Sequence, residues 1–397
     1  MNCELRTVNL LIFCSLFLST PLFGWTDGQL LVWTDGDRAP AVRDIAKNFE
    51  AKWGIKVAVE SPPNLTDNFV ISAEAGKGPD IVIWAHDKLG EWADAGLIAP
   101  VDLDPAFARQ LFPQVQQAVG HRNATWGYPI ALETVTLIYN RKLIPGPPPG
   151  SLAEIKAMDQ TIRSTHPDIR TICWNYRSPY YSWGILASGG AYVFKRRGVD
   201  YDLKDIGIAG AGAVEALSGI INLVHQGILP PGPVSDEGET LMAQGKLVMT
   251  ISGPWSWSNF TQNGIDFGLA QVPGIGGRPG RPFVGVSVAY LNESSPNTDA
   301  AKQFLEQDLI TLDGLMAINH AKPIGIPALM SAYEKMASKD SRLRELKAVV
   351  DQGEIMPNIP KMGRFFSALG GAMETAINGQ VSPEQALQQA AEEIRGH

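Results

Sequence analysis

Trp84 and Asp87 carry the clearest chemical signal in the chain. They lie just after the turn signal Gly78-Pro79-Asp80 and the apolar run Ile81 to Ile83. That run reads as a buried strand. It stops at Trp84, and His86, Asp87 and Lys88 follow. In an open α/β sheet, ligands collect where strands end at their carboxyl edge. An aromatic plate beside a carboxylate at such an edge suits a sugar. The ring covers the C–H face and the carboxylate accepts from hydroxyls. Taken alone, the stretch reads more readily as a core tryptophan and a helix-capping aspartate.

The elements that must position these residues alter that balance. Gln29 to Thr34 is apolar and β-prone, and Asp35-Gly36-Asp37-Arg38 turns at its end. Val42, Ile45, Ala46, Phe49 and Trp53 then fall at helical spacing, and Gly54 ends the helix. Ile55 to Val59 predicts a second strand, about Asn64 to Ala75 a helix, and Ile81 to Ile83 a third strand. Strand, helix, strand, helix, strand implies parallel pairing with right-handed crossovers. The Asp35 turn and the Trp84–Lys88 cluster therefore project from one edge. Further on, Tyr128-Pro129-Ile130-Ala131 leads to Glu133, and Thr134 to Tyr139 is β-prone. Seven aromatics crowd residues 171 to 194. Leu247 to Ile251 followed by Gly253-Pro254-Trp255 repeats the pattern of strand, turn and aromatic. Trp174, Trp183 and Trp257 are expected in the core, His86 in a structural role, and Met356 in core or cleft alike.

Composition narrows the chemistry. A length of 397 residues implies more than one core. A net charge of −8 argues against nucleic acid or an anionic membrane as partner. The six histidines are scattered, so no metal site is expected. No Gly-x-Ser-x-Gly turn is present. The run Gly274 to Gly280 matches no phosphate-cradling spacing, and no cofactor is expected. A glycosidase needs two carboxylates roughly 5 to 10 Å apart. Asp35, Asp37, Asp87 and Glu133 leave that reading open, but the aromatic count favours binding over catalysis. Residues 1–24 have the form of a secretory signal peptide, with an apolar run from Leu10 to Leu18. Cys14 follows Ile12-Phe13, a poor lipoprotein site. Cys173 alone would remain in the mature chain, as a small buried apolar residue.

Five stretches then point to a family: GPDIVIWAHD (Gly78 to Asp87), YPIALETVTLIYN (Tyr128 to Asn140), GPWSWSN (Gly253 to Asn259), PFVGV (Pro282 to Val286) and GEIMPNIP (Gly353 to Pro360). In order and spacing the chain resembles the periplasmic maltose/maltodextrin-binding proteins of ABC importers, within bacterial extracellular solute-binding family 1. The resemblance implies an α/β fold of two lobes, with crossing hinge segments and a sugar in the central cleft. It implies 25–131 and 287–335 as the first lobe, and 135–283 and 341–397 as the second. Hinges would fall near 132–134, 284–286 and 336–340. Asp35, Asp37, Arg38, Trp84, Asp87, Lys88 and Glu133 would bind from the first lobe. Tyr180, Trp255, Met356 and Phe366 would bind from the second. Carboxylates would accept sugar hydroxyls and aromatics would stack. The implied partners are a maltose or maltodextrin ligand and the importer's membrane permease subunits, with a monomeric, non-enzymatic protein in the periplasm. Another oligosaccharide such as trehalose is the alternative ligand, and a secreted glycoside hydrolase the alternative class. The chain departs from the family pattern at six positions: Arg38 stands where the family commonly has a lysine and Asp35 where it commonly has an asparagine. Lys88 and Gly370 replace arginines, Ser178 a glutamate, and Phe366 a tryptophan.

Overall fold

The computed structural model describes residues 28–197, 200–232 and 234–396. The secretory segment expected over 1–24, with Cys3 and Cys14, lies outside the described residues.

Strand β1 (Gln29–Trp33), helix α1 (Ala39–Trp53), strand β2 (Lys56–Glu60), helix α2 (Leu65–Glu74) and strand β3 (Ile81–Ala85) follow one another as the pattern predicts. β1 lies between β2 and β3 and is parallel to both. α1 buries Val42, Ile45, Ala46 and Phe49 on one stripe, and Gly54 closes it in the left-handed conformation. β3 continues past the apolar run through Trp84 and Ala85. Its backbone stays paired there with Phe283–Leu291, and ladder bonds rather than apolar side chains set where a strand ends.

The strand Phe283–Leu291 is the spine of the larger sheet. It runs antiparallel to β3 on one side and to Tyr128–Thr134 on the other. All nine of its residues are buried, which accounts for its near-continuous apolar sequence. Ile326–Pro327 forms the outer edge beside Tyr128–Thr134, and Glu354–Ile355 pairs with Phe283 and Val284. A second sheet has the order Phe267–Ala270, Thr136–Asn140, Leu247–Ser252, Arg170–Ile172. The chain moves from the first sheet to the second at Val135. The single β-run expected from Thr134 to Tyr139 is therefore split between two sheets. The Thr134 hydroxyl marks the break by donating to the Phe283 carbonyl at 2.7 Å.

Trp174, Trp183 and Trp257 are buried, as expected. Trp183 stacks on Phe283 at 4.8 Å. Cys173 is buried, and burial pushes its thiol up to about 12, so it is inert at neutral pH. The last helix, Pro383–Arg395, opens with the capping box of Ser382 and Gln385 that its sequence predicts. Among the described residues, no helix is long and apolar enough to cross a membrane.

Candidate ligand-binding cleft

The first wall is built by the turn after β1. Asp35 Oδ1 accepts from the backbone N–H groups of Asp37 at 3.1 Å and Arg38 at 3.0 Å. This aspartate turn sets the start of α1 and delivers the Arg38 side chain inward. Asp35 Oδ2 then accepts from Arg38 Nη1 at 3.0 Å, while Arg38 Nη2 donates to Glu133 Oε1. Glu133 comes from the strand Tyr128–Thr134, so one guanidinium ties the turn after β1 to the crossover strand.

The second wall is the end of β3. Trp84 and Asp87 both line a cavity of about 250 Å³ that also receives Arg38 and Glu133. Tyr180, Met356 and Phe366 also line it, and Gly285 and Ser287 line it from the spine. Tyr180 belongs to the helix Pro179–Ser188, whose proline lies in its first turn. Phe366 belongs to the helix Met362–Ile377, and its ring meets those of Phe365 at 5.2 Å and Phe283 at 6.1 Å. Met356 is 4% exposed and also lines the cavity, so it is both core and cleft.

Three polar atoms around this cavity are buried without a hydrogen-bond partner: Asp87 Oδ1, Arg38 Nε and Ser287 Oγ. Buried polar groups are almost always paired, and an unpaired one costs roughly 1–3 kcal/mol. Larger cavities exist. One of about 440 Å³ at Trp257 and Met316 has a single such atom, Trp257 Nε1. Another, of about 670 Å³ at His121 and Tyr201, has none among its lining residues. The smaller cavity is therefore the one that calls for a polar ligand.

Electrostatics sharpen that picture. Burial pushes the Asp87 carboxyl up to about 6, with Lys88 only partly opposing it. Burial also raises Glu133 above the usual carboxylate range, against the pull of Arg38. For Arg38, burial acts to lower the pKa, but Glu133 and Asp35 together leave it above its ordinary value. The Tyr180 phenol is raised by burial, then by Glu133, and remains a donor at neutral pH. The arrangement offers a carboxylate acceptor, a guanidinium donor and two hydroxyls between aromatic faces.

Four of the residues expected in the cleft stand outside this cavity. Asp35 supports Arg38 from behind. Asp37 is exposed and pairs with Lys322. Lys88 turns away to Glu91 Oε2 at 3.0 Å. Trp255 stands behind Tyr180, with ring centroids 6.3 Å apart, and its indole N–H donates to Glu239 at 3.3 Å. Ser178 precedes the helix Pro179–Ser188 without a side-chain capping bond. A Cβ added at Gly370 would meet Pro179 at 3.7 Å, so the two altered positions lie at one helix start. Gly285 and Ser287 were missed as site residues, although both lie in or next to the PFVGV stretch. A polar residue inside an otherwise apolar run was the available signal.

The bacterial extracellular solute-binding protein family matches residues 35–306. The chain belongs to this family. Its two-lobed fold is in keeping with the two separate sheets described above. Among curated relatives, the galactooligosaccharide-binding protein of Bacillus subtilis (strain 168) is 27% identical over 380 residues, covering 93% of this chain and 89% of that protein. The maltotriose-binding protein of Pyrococcus abyssi is 25% identical over 361 residues, covering 88% and 78%. A maltooligosaccharide ABC transporter solute-binding lipoprotein of Streptococcus pneumoniae is 24% identical over 383 residues, covering 92% and 88%.

Proposed function

We propose that this protein captures a maltooligosaccharide between its lobes and hands it to the permease of an ABC importer. The observation that carries the reading is the set of three unpartnered polar atoms in one cavity between Trp84, Tyr180 and Phe366. Sugar hydroxyls complement Asp87, Arg38 and Ser287, and pyranose C–H faces complement the rings. Two of the relatives described above are named for malto-sugars, and one for galactooligosaccharides. Asp35 serves as the brace of Arg38. Asp37, Lys88 and Trp255 meet the outer units of a longer chain or act when the lobes close further.

In this reading the lobes turn about crossings near 132–134, 284–286 and 336–340. The first lobe is then 25–131 with 287–335, and the second 135–283 with 341–397. The cavity of about 250 Å³ is smaller than the roughly 300–1,000 Å³ usual for drug-sized ligands, so loading an oligosaccharide requires the lobes to part. Driving closure from 1:99 to 99:1 needs about 5.5 kcal/mol of preference for the closed form. A few stacked rings and charge-assisted hydrogen bonds, each about 0.5–3 kcal/mol, supply that. The protein works as a periplasmic monomer and performs no catalysis.

Calorimetric titration of the mature protein with maltose, maltotriose, trehalose and a galactooligosaccharide tests the reading. Micromolar binding of a malto-sugar is expected. Binding of trehalose or the galactooligosaccharide alone would move the ligand and keep the class. Asp87 and Glu133 both line the cavity, so glycoside hydrolysis is the competing class. New reducing ends after overnight incubation with maltotriose would replace the binding reading with it.

A further inference from the structure

We propose that Ser287 is a specificity-determining residue that hydrogen-bonds one hydroxyl of the bound saccharide at the cavity floor. The inference rests on the saccharide-binding reading above and names a contact within it. Strand pairing sets Ser287 opposite Ala85 on one side and opposite Ala131 on the other. Residues in register point to the same face of a sheet. Ser287 is therefore flanked by two small side chains in one row, Ala85, which lines the cavity with it, and Ala131, which is fully buried beside it. Gly285, two residues earlier, shares that face. A Cβ added there would lie 3.6 Å from the Glu133 carbonyl oxygen and 3.9 Å from Tyr180 Oη. The pit is thus narrow at Gly285 and polar at Ser287. The pairing with Tyr128–Thr134 also slips between Ser287 and Val288, an irregularity of the kind that re-aims a side chain.

The strand itself gives no reason for a serine. Val284, Val286 and Val288 are each at most 1% exposed, and an alanine at 287 would keep the row small without burying a hydroxyl. Ser287 is 5% exposed, and its Oγ finds no partner even though a hydroxyl can rotate to seek one. An unpaired buried hydroxyl is a standing cost to the free protein that a ligand can remove. Its chemistry also differs from its neighbours in the cavity. Asp87 as carboxylate only accepts and Arg38 only donates, whereas a serine does both, as a sugar hydroxyl does. The floor therefore selects for a hydroxyl at one ring position over a hydrogen or a bulkier substituent.

The test compares wild type, Ser287→Ala and Ser287→Val by calorimetry and by thermal unfolding without ligand. The ligands are maltose, maltotriose and a set of monodeoxy maltoses. Ser287→Ala is expected to weaken the best sugar about tenfold, or 1.4 kcal/mol, with an unchanged or higher unliganded Tm. One monodeoxy sugar should bind wild type and Ser287→Ala equally well. Ser287→Val, which fills the pit, should weaken binding further still. Unchanged affinity in Ser287→Ala, with wild type binding normally, overturns this inference alone. A fall in unliganded Tm alongside affinity makes the residue structural and also overturns it. Failure of wild type to bind these sugars, trehalose and a galactooligosaccharide alike overturns the saccharide reading and this inference together.

Discussion

His86 Nε2 lies 2.7 Å from the carbonyl oxygen of Met356, 270 residues further along the chain. Its Nδ1 accepts from the backbone N–H of Val286 at 3.0 Å. The two contacts assign the Nε2–H tautomer. One fully buried ring thus joins the end of β3 to the spine strand and to the Met356 segment, where three parts of the cavity wall meet.

His86→Ala is expected to lose about 2–4 kcal/mol of stability, because it leaves Val286 N–H and Met356 C=O unpaired around a void. Urea unfolding at pH 7 measures this. A loss under 1 kcal/mol would remove the ring from its joining role. Burial also pulls the His86 pKa down to about 4, against the two backbone bonds. The folded state therefore resists a proton that the unfolded chain accepts near 6.5. The stabilisation present above 6.5 is lost as pH falls towards 4, by at most about 3 kcal/mol.

Asp87 slopes the other way. Its folded pKa of about 6 exceeds the unfolded value of 3.8. Its contribution is present below 3.8 and lost as pH rises through 6, by about 2 kcal/mol once part-exposure is allowed for. Asp87→Asn should therefore raise unliganded stability at pH 7 and leave it near wild type at pH 3.5. Sugar affinity should move against stability, rising in wild type between pH 5 and 7 as the carboxylate forms. In Asp87→Asn that rise should vanish and affinity should fall about tenfold or more. Parallel pH profiles for the two proteins would exclude Asp87 as the acceptor.

Arg38→Met leaves Glu133 and Asp35 facing each other without the guanidinium between them. Breaking a buried pair on one side costs about 3–5 kcal/mol. Arg38→Lys keeps the charge but cannot fork between the two carboxylates. We expect it to regain part of the stability and little of the affinity, as read by unfolding and titration of both variants. Full affinity in Arg38→Lys would show that the fork is unnecessary.

Gly90→Ala should be severe although it adds only one methyl. The new Cβ would fall 2.2 Å from the Asn358 carbonyl oxygen, which is backbone and cannot swing aside. Either the helix Leu89–Asp94, which follows closely on Asp87, or the Met356–Asn358 segment must move, and Asp87 and Met356 both line the cavity. A loss of about 2 kcal/mol or more and a weakened sugar titration are expected together. Wild-type behaviour in both would mean the segment yields freely.

Much of the fold could be read from periodicity, because β1 to β3 alternate with helices whose apolar stripes are unbroken. Local pattern says less about partners distant in sequence. Asp80 read as part of a turn, yet it is fully buried and accepts from Leu31 N–H at 2.7 Å and from Ser295 and Asn297. Trp84, Asp87 and Arg38 converge as their strand ends foretold, and Glu133 joins them where the resemblance placed it. Lys88 was expected beside them from the same strand end, and Trp255 through resemblance, but Lys88 pairs with Glu91 and Trp255 stands behind the Tyr180 ring. Ser287 showed in the sequence only as a polar residue in an apolar run, and its place in the cavity emerges once two neighbouring strands set alanines beside it.

Of the ten tryptophans, Trp33, Trp92, Trp174, Trp183 and Trp257 are sealed in packed interiors, and Trp84 stands half-buried at the cavity. Saccharides carry no chromophore of their own. A ring covering Trp84 would displace water from one indole and leave the sealed ones undisturbed. The protein therefore carries a built-in optical reporter: its intrinsic emission should shift with ligand, and Trp84→Phe should shrink that shift to whatever Trp255 contributes.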